Sequence, residues 1–373
     1  MQPLTASPRD GLTADLVTAL VRDAPAVTVG HGAELVDQTL AVLADISEDV
    51  RGGSVSRAAY AELHGSAQLS ISRDLDWGRA IVRPYMTLSD GQLTARFNLG
   101  AYYTAKPKRN LRETPPRFDV AGFDILLALN DPVGQTYAVD AGVGYLTAVE
   151  DILIQRGFVQ YLIDRSSAAL VLPAAKVWPF DPRTTWLQVV NDLLSAIGYA
   201  GIWSDWDGRP RCQPYQPPQQ RPAEWTYEAD GIRSMIAPER EIEQDFFRTP
   251  NRWVFYQSNN VEAAPVEGNG MYTYVNQADG PTSVEGRGRV ITQPVGLDAA
   301  DHASLVRQAQ ERIDTDIRVP TTYTTPTALN PLHWHFDRLL VLDPTAGPPM
   351  EVLGTQWTLP LMGRRMTQEW TIL

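Results

Sequence analysis

The sequence has almost no cysteine: Cys212 stands alone in 373 residues. A single thiol excludes an internal disulfide and the multi-cysteine zinc sites, and it suits assembly in a reducing cytoplasm. No apolar run approaches the roughly 18 residues that a membrane-spanning helix requires. Met1–Asp10 lacks the basic patch and apolar stretch of a secretion signal, so neither membrane insertion nor export is expected. Cations are in short supply, 32 against 44 acidic side chains, for a net charge of -12. Gripping nucleic acid requires Lys and Arg to displace counterions from phosphate. An acidic chain is therefore a poor candidate for gripping nucleic acid; composition alone favours the plain reading that the charge keeps the protein soluble, ahead of a surface past which DNA slides. Nucleophile motifs are missing too: there is no Gly-x-Ser-x-Gly, and Cys212 sits between Arg211 and Gln213 with no His nearby.

Proline and glycine are plentiful, 28 and 27 residues, and fall between short apolar runs. That texture predicts a β-rich chain with many turns, and the length suits several modest domains. Leu12, Leu16, Val17, Leu20 and Val21 share a helix face over Leu12–Val21, with Asp10 or Thr13 as cap and Pro25 as stop. From about Thr39 the pattern alternates. Ala67, Leu69 and Ile71 interleave with Ser66, Gln68 and Ser70, and Ala95, Phe97, Leu99 and Ala101 form a similar series. Further strands are expected over Ile81–Leu88 and Phe118–Leu129, with turns at Gly52-Gly53, Asp90-Gly91 and Asp131-Pro132.

The middle of the chain reads differently. Thr147–Glu150 predicts a capping box for a helix that Gly157 ends. Asp181-Pro182 predicts the start of a second helix, striped by Trp186, Val189, Val190, Leu193, Leu194 and Ile197 and closed by Gly198. Asp207-Gly208 predicts a hairpin turn between Gly201–Ser204 and Arg211–Tyr215; Pro214–Pro222 reads as an extended connector. Beyond it, strands around Trp253/Phe255 and Tyr272/Tyr274 flank a polar loop over Ser258–Gly270, and a helix covers Ala299–Asp314. Strands follow over Leu339–Leu342, Gln356–Leu361 and Met366–Leu373, the last with Met366, Gln368, Trp370 and Ile372 on one face. The expected fold class is α+β and β-rich, two β-barrel or sandwich domains with a smaller mixed α/β domain between them. The expected boundaries are an N-terminal helical extension (1–37), a first β domain (38–137), the mixed domain (138–225), and a second β domain with a helix and C-terminal strands (226–373).

Several groups bear on chemistry. His333 and His335 would point to one side of a strand, with Asp337 as a third metal ligand. The segment follows Asn330-Pro331 and precedes an apolar run, so the start of a strand is the favoured reading. Asp205-Trp206-Asp207-Gly208 resembles part of a calcium loop but lacks the third ligand and distal Glu; a hairpin turn is expected. Gly286-Arg-Gly-Arg289 neither follows a clear strand nor opens a helix, and reads as a flexible turn with solvated arginines. Asp74/Asp76 and Glu241/Glu243 are carboxylate pairs of the kind a glycosidase uses, but Asp74 and Asp76 suit a polar strand end. The ten tryptophans are expected in cores and subunit contacts, not exposed for stacking on carbohydrate. No catalytic, cofactor-binding or metal-ligating residue is assigned, and no cofactor is expected.

The joint order of short segments is similar to that of siphophage tail hub proteins, the baseplate-hub-like minor tail proteins common in actinobacteriophages. The segments are Gly52–Val55, Ala67–Arg73, Trp77-Gly78, Ile81–Tyr85, Asn98–Gly100, Gly122–Asp124, Gly144–Leu153, Leu193–Tyr199, Asp207–Arg209, Tyr215–Pro218 and Pro250–Trp253. The resemblance covers residues 40 to 373 and leaves 1 to 37 unmatched. It implies two tail-tube-like β domains per chain and a homotrimeric ring at the virion tail tip, assembled in the host cytoplasm. Such a ring adapts a six-fold tube to a three-fold tip and forms part of the DNA channel. Implied partners are further copies of the chain, a distal tail or tail tube protein, the tape measure protein, and a central fibre or other tip proteins, with DNA only in transit and no membrane insertion. Many such hubs carry a C-terminal peptidase or glycan-cleaving domain; Leu373 follows closely on the last predicted strand, so a non-enzymatic role is expected. The rival readings are a cell-wall-degrading tail enzyme and a carbohydrate-binding receptor protein.

Overall fold

A computed structural model describes residues 13–22, 27–112, 115–229, 235–246, 249–257, 266–297, 302–316, 321–334 and 336–373. The chain divides into two compact units, one of residues up to Arg240 with Thr324–Thr371, the other over Glu241–Tyr323. The larger unit holds a long, mostly antiparallel sheet. Its strands run, in spatial order, Arg365–Ile372, Met350–Pro360, Val50–Ala58, Gly65–Ile71, Arg117–Asp124, Tyr102–Asn110, Ile81–Ser89, Thr28–Val36 and Val42–Asp45. Gly65–Ile71 shows why the alternation forms a strand: Ala67, Leu69 and Ile71 are buried while Ser66 and Gln68 face solvent. Met366, Gln368 and Trp370 are buried together in the same way. The pairing of Met350–Pro360 with Val50–Ala58 makes the C-terminal strands and the first β block one continuous sheet.

Local chemistry redirects several elements. Thr28–Val36, within the stretch read as a helical extension, is a strand paired along its whole length with Ile81–Ser89; Gly30 and Gly32 hide its alternation. Gly52-Gly53 is not a turn but lies inside Val50–Ala58 at a register shift, where a Cβ on Gly53 would come within 2.2 Å of the Gln68 carbonyl. The strand expected over Phe118–Leu129 stops at Asp124, whose carboxylate accepts from Leu126 N and caps a 3-10 turn over Ile125–Leu129. Ala95–Ala101 is interrupted at Gly100, φ 102°, with Tyr102 Oη donating to Leu99 O at 2.7 Å. In the N-terminal helix, Ala14–Arg22, Thr13 Oγ1 accepts from Leu16 N and Val17 and Leu20 face inward, but Leu16 is exposed. Leu12, Asp10 and Pro25 lie outside the described residues.

The middle segment is built twice. Helix Tyr145–Gln155 and helix Trp186–Ala196 have the same length. Each is preceded by an aspartate-led turn (Val143 N to Asp140 O, Thr184 N to Asp181 O). Each ends at a left-handed glycine, Gly157 or Gly198, followed by a buried aromatic whose N–H reaches back into the helix: Phe158 to Leu153 O and Tyr199 to Leu194 O, both 2.9 Å. The short strands Leu162–Ile163 and Trp203–Ser204 then both pair with Pro210–Cys212, one parallel and one antiparallel. Tyr137 opposite Trp178 joins the two halves. Asp140, Leu146, Val149, Asp151, Leu153 and Gly157 recur as Asp181, Leu187, Val190, Asp192, Leu194 and Gly198. Neither helix starts as expected. Gly144 precedes the first, and Glu150 binds Arg165 and Tyr161 instead of closing a capping box. Thr185, not Asp181, caps the second by accepting from Gln188 N.

In the smaller unit, Arg252–Gln257 pairs antiparallel with Gly270–Val275 and parallel with Thr292–Leu297. Helix His302–Asp316 packs Leu305, Ala309 and Ile313 on Trp253 and Phe255, while Val306 is only half-buried. Most of the expected loop over Ser258–Gly270 lies outside the described residues. Ser283 caps a short helix, Val284–Arg287, and Arg287 donates to Thr249 O, so the Gly286–Arg289 stretch is folded, not a free turn.

Candidate functional site

The densest group of buried polar side chains runs through the larger unit. His333 heads it, fully buried, its imidazolium disfavoured by burial so that its pKa is pulled down to about 3. A neutral ring carries one proton. Nδ1, 3.1 Å from Asp337 Oδ2, holds it as a donor; Nε2 then accepts from the Tyr227 hydroxyl and from Asn330 Nδ2 at 3.2 Å. Tyr227 Oη accepts in turn from Gln368 Nε2 at 2.7 Å, and Trp370 Nε1 donates to Gln368 Oε1 at 3.0 Å. The metal ligands considered at this place are thus engaged with protein, except His335, which lies outside the described residues.

Asp337 also accepts from Trp334 N at 2.8 Å and faces Glu224. Burial drives the pKa of both carboxyls upward, and the charge of Asp337 raises Glu224 further. Among the described residues, Asp337 Oδ1 and Glu224 Oε2 have no donor; one proton shared between them satisfies both. Arg221 supplies the counter-charge, 3.3 Å from Glu224 Oε1.

Trp334 connects this group to the rest of the unit. Its Nε1 donates to Ser204 O at 3.0 Å, its carbonyl accepts from Trp357 Nε1 at 3.1 Å, and the Arg57 guanidinium stacks 3.9 Å from its ring centre. Arg57 also donates to Ser204 O and pairs at 3.5 Å with Asp124, which accepts from Ser204 Oγ at 2.6 Å. First β block, duplicated segment and C-terminal strands are therefore joined by one buried polar chain. No local sequence signal marks Arg57, Asp124, Ser204, Glu224, Tyr227 or Gln368; only their burial does.

The remaining candidates are committed to structure. Asp205, fully buried, accepts from the backbone N–H of Asp207 and Arg209 and from the Arg209 and Arg211 side chains, anchoring the expected hairpin turn at Gly208. Burial pushes the Cys212 thiol up to about 12, away from a nucleophile's range. Asp74 accepts from Trp77 Nε1 at 2.8 Å just beyond the strand Gly65–Ile71. Glu241 and Glu243 stand exposed on the short strand Glu241–Gln244. Of the ten tryptophans, all within the described residues, Trp77, Trp186 and Trp206 are half-buried and the others buried. A cleft of 790 Å³ is lined, among the described residues, by Val21, Val27, Thr28, Val29, Leu88, Ala328, Leu329, Gly363 and Arg364, and a smaller one of 510 Å³ includes Glu62 and His64. Lys106, Arg109 and Arg112 are exposed on or just beyond the strand Tyr102–Asn110.

No protein-family model matches the sequence, and no curated protein matches it. Solved structures do. The chain is similar to the tail protein from Neisseria meningitidis MC58, with a TM-score of 0.64 at 15% identity, covering 92% of this chain and 96% of that one. It is similar to the 43 kDa tail protein of prophage MuSo2 from Shewanella oneidensis, TM-score 0.60 at 9% identity, over 93% and 98% of the two chains. It also matches a chain of the Francisella PdpA–VgrG complex, TM-score 0.57 at 7% identity, over 96% of this chain but 60% of that one. Over more than nine tenths of its length the chain shares the fold of those two tail proteins.

Proposed function

We propose that the chain is a structural protein of a long-tailed phage, the tail-tip hub that joins tail tube to tip as a homotrimeric ring. The likeness to two tail proteins over nearly the whole of each chain carries this reading. The continuous sheet supports it. Strands of residues 38–137 and strands of 338–373 meet edge to edge at Val50–Ala58 and Met350–Pro360, so one chain offers two adjoining wall segments. Three copies then offer six to a six-fold tube and three-fold symmetry to a central fibre. The bore would pass DNA in transit, with the tape measure protein and a distal tail or tube protein as neighbours. The role is architectural: the buried polar chain spends its ionisable groups on holding segments together, and Cys212 is locked in a core. Tryptophans tucked into cores speak against a carbohydrate-binding face. Image reconstruction of assembled tails is the test. Three copies in one ring at the tip are expected; six copies would overturn the proposal.

A further inference from the structure

We propose that a second copy of this chain docks head to tail, a basic hairpin of one copy seated on the acidic open sheet edge of the next. The inference rests on the self-association in the function proposed above and names its contact. Strands Tyr102–Asn110 and Arg117–Asp124 form the hairpin. Its first strand pairs with Ile81–Ser89 at Tyr102 and Tyr103, and among the described residues no strand covers the outer part on that side. A register shift between Ala105 and Lys108, with Lys106 at φ 49°, twists this arm. Lys106, Lys108, Arg109 and Arg112 are all exposed there, in a chain whose net charge is -12. Leu111, beside them, is 81% exposed, more than any other large apolar side chain among the described residues.

The complementary surface is the strand Val42–Asp45, which ends the sheet and, among the described residues, pairs only with Thr28–Val36. Val42 and Leu43 are exposed at 52% and 67%, and exposed Asp45 and Glu48 lie beside them. An open edge of this kind, with apolar side chains outward, is a site for association. Within one chain the two surfaces lie on strands three places apart in the sheet. Tyr103 is level with Ile81, whereas Asp45 is level with Arg83 through Glu34. Asn110 lies in the opposite direction, so Asn110 and Asp45 are about 26 Å apart along the strands at about 3.3 Å per residue. A contact between unlike surfaces at opposite ends repeats from copy to copy and generates a ring or a stack. Leucine decides against DNA as the occupant: the phosphate backbone offers cations a partner but Leu111 no apolar socket, while Val42 and Leu43 offer one.

Sedimentation equilibrium of the full-length protein tests this by charge exchange. Wild type should self-associate with rising concentration, and less so in 1 M salt, about the ionic strength that cuts screening lengths to 3 Å. K108E/R109E and D45K/E48K should each weaken association at least tenfold, with circular dichroism confirming that both are folded. Mixing the two variants should restore it, because the reversed hairpin of one meets the reversed edge of the other. Wild type that stays monomeric at all concentrations overturns the proposal, as do single variants that associate like wild type. Loss of binding to a duplex oligonucleotide in K108E/R109E, with association unchanged, would replace it by a DNA contact. A three-copy ring whose hairpins touch another protein would sink this contact and leave the hub reading standing; a six-copy ring would sink the hub reading.

Discussion

Burial sets what each ionisable residue of the polar chain contributes at a given pH. Glu224 is pushed up to about 9 by burial and by Asp337. A carboxyl whose folded pKa is raised stabilises fully below its unfolded value and loses that stabilisation as pH rises through the folded one. His333 and His64, pulled down to about 3 and about 4 by burial, behave oppositely: their neutral folded forms cost stability as pH falls below about 6.5. Between pH 7 and 9 the histidines no longer titrate and Glu224 governs the slope. Glu224→Gln keeps a donor towards Asp337 but cannot ionise. Wild type should therefore lose stability relative to the variant from pH 7 to 9, by at most about 1.4 kcal/mol per pH unit. Melting temperatures of both proteins across that window check it; a constant difference would refute the shared proton.

At the scale of elements, helix starts separate what is local from what is not. Asp181-Pro182 has the composition of a helix start, yet Asp181 turns the chain by accepting from Arg183 N, and the helix waits for Thr185. Thr147 belongs to a plausible capping box, but the helix has already begun at Tyr145 because Tyr145 N is held by Leu170 O. Thr185→Ala should cost about 1 kcal/mol, the usual value of a lost side-chain cap. Thr147→Ala, inside its helix, should cost under about half of that. Urea unfolding of the two variants gives the comparison, and equal losses would contradict the assignment. The hairpin at Asp207-Gly208 was legible because its signal is confined to the turn, where Gly208 takes φ 90°. The duplication went unread, because the recurrence of Asp140 to Phe158 as Asp181 to Tyr199 emerges only when the sequence is set against itself.

For the whole molecule, charge balance predicts the lining of the proposed channel. Cations on the wall would bind the duplex, since each neutralised phosphate releases counterions and adds affinity; exposed carboxylates leave DNA hydrated and free to slide. The inward face of an assembled ring should be negative or neutral, with Lys106, Arg109 and Arg112 directed to protein. Electrostatic potential on an experimental ring structure decides it, and a continuous positive lining would revive a DNA-gripping role.

The sequence by itself determined the β-rich character, the turn at Asp207-Gly208, the buried face of Gly65–Ile71 and the helix His302–Asp316, because apolar period and turn chemistry act over a few residues. Tertiary structure decided the rest. Val50–Ala58 meets Met350–Pro360 across almost the full length of the chain, and no local pattern encodes which strand a strand will pair with. Gly52-Gly53 lies within a strand beside a register shift, and only the packed sheet, with the Gln68 carbonyl against Gly53, shows that no room is left there for a Cβ. Arg57, Asp124, Ser204 and Glu224 read as ordinary polar residues in sequence. Enclosure by a fold makes their charges costly, and only there must each find the partner that ties distant segments together.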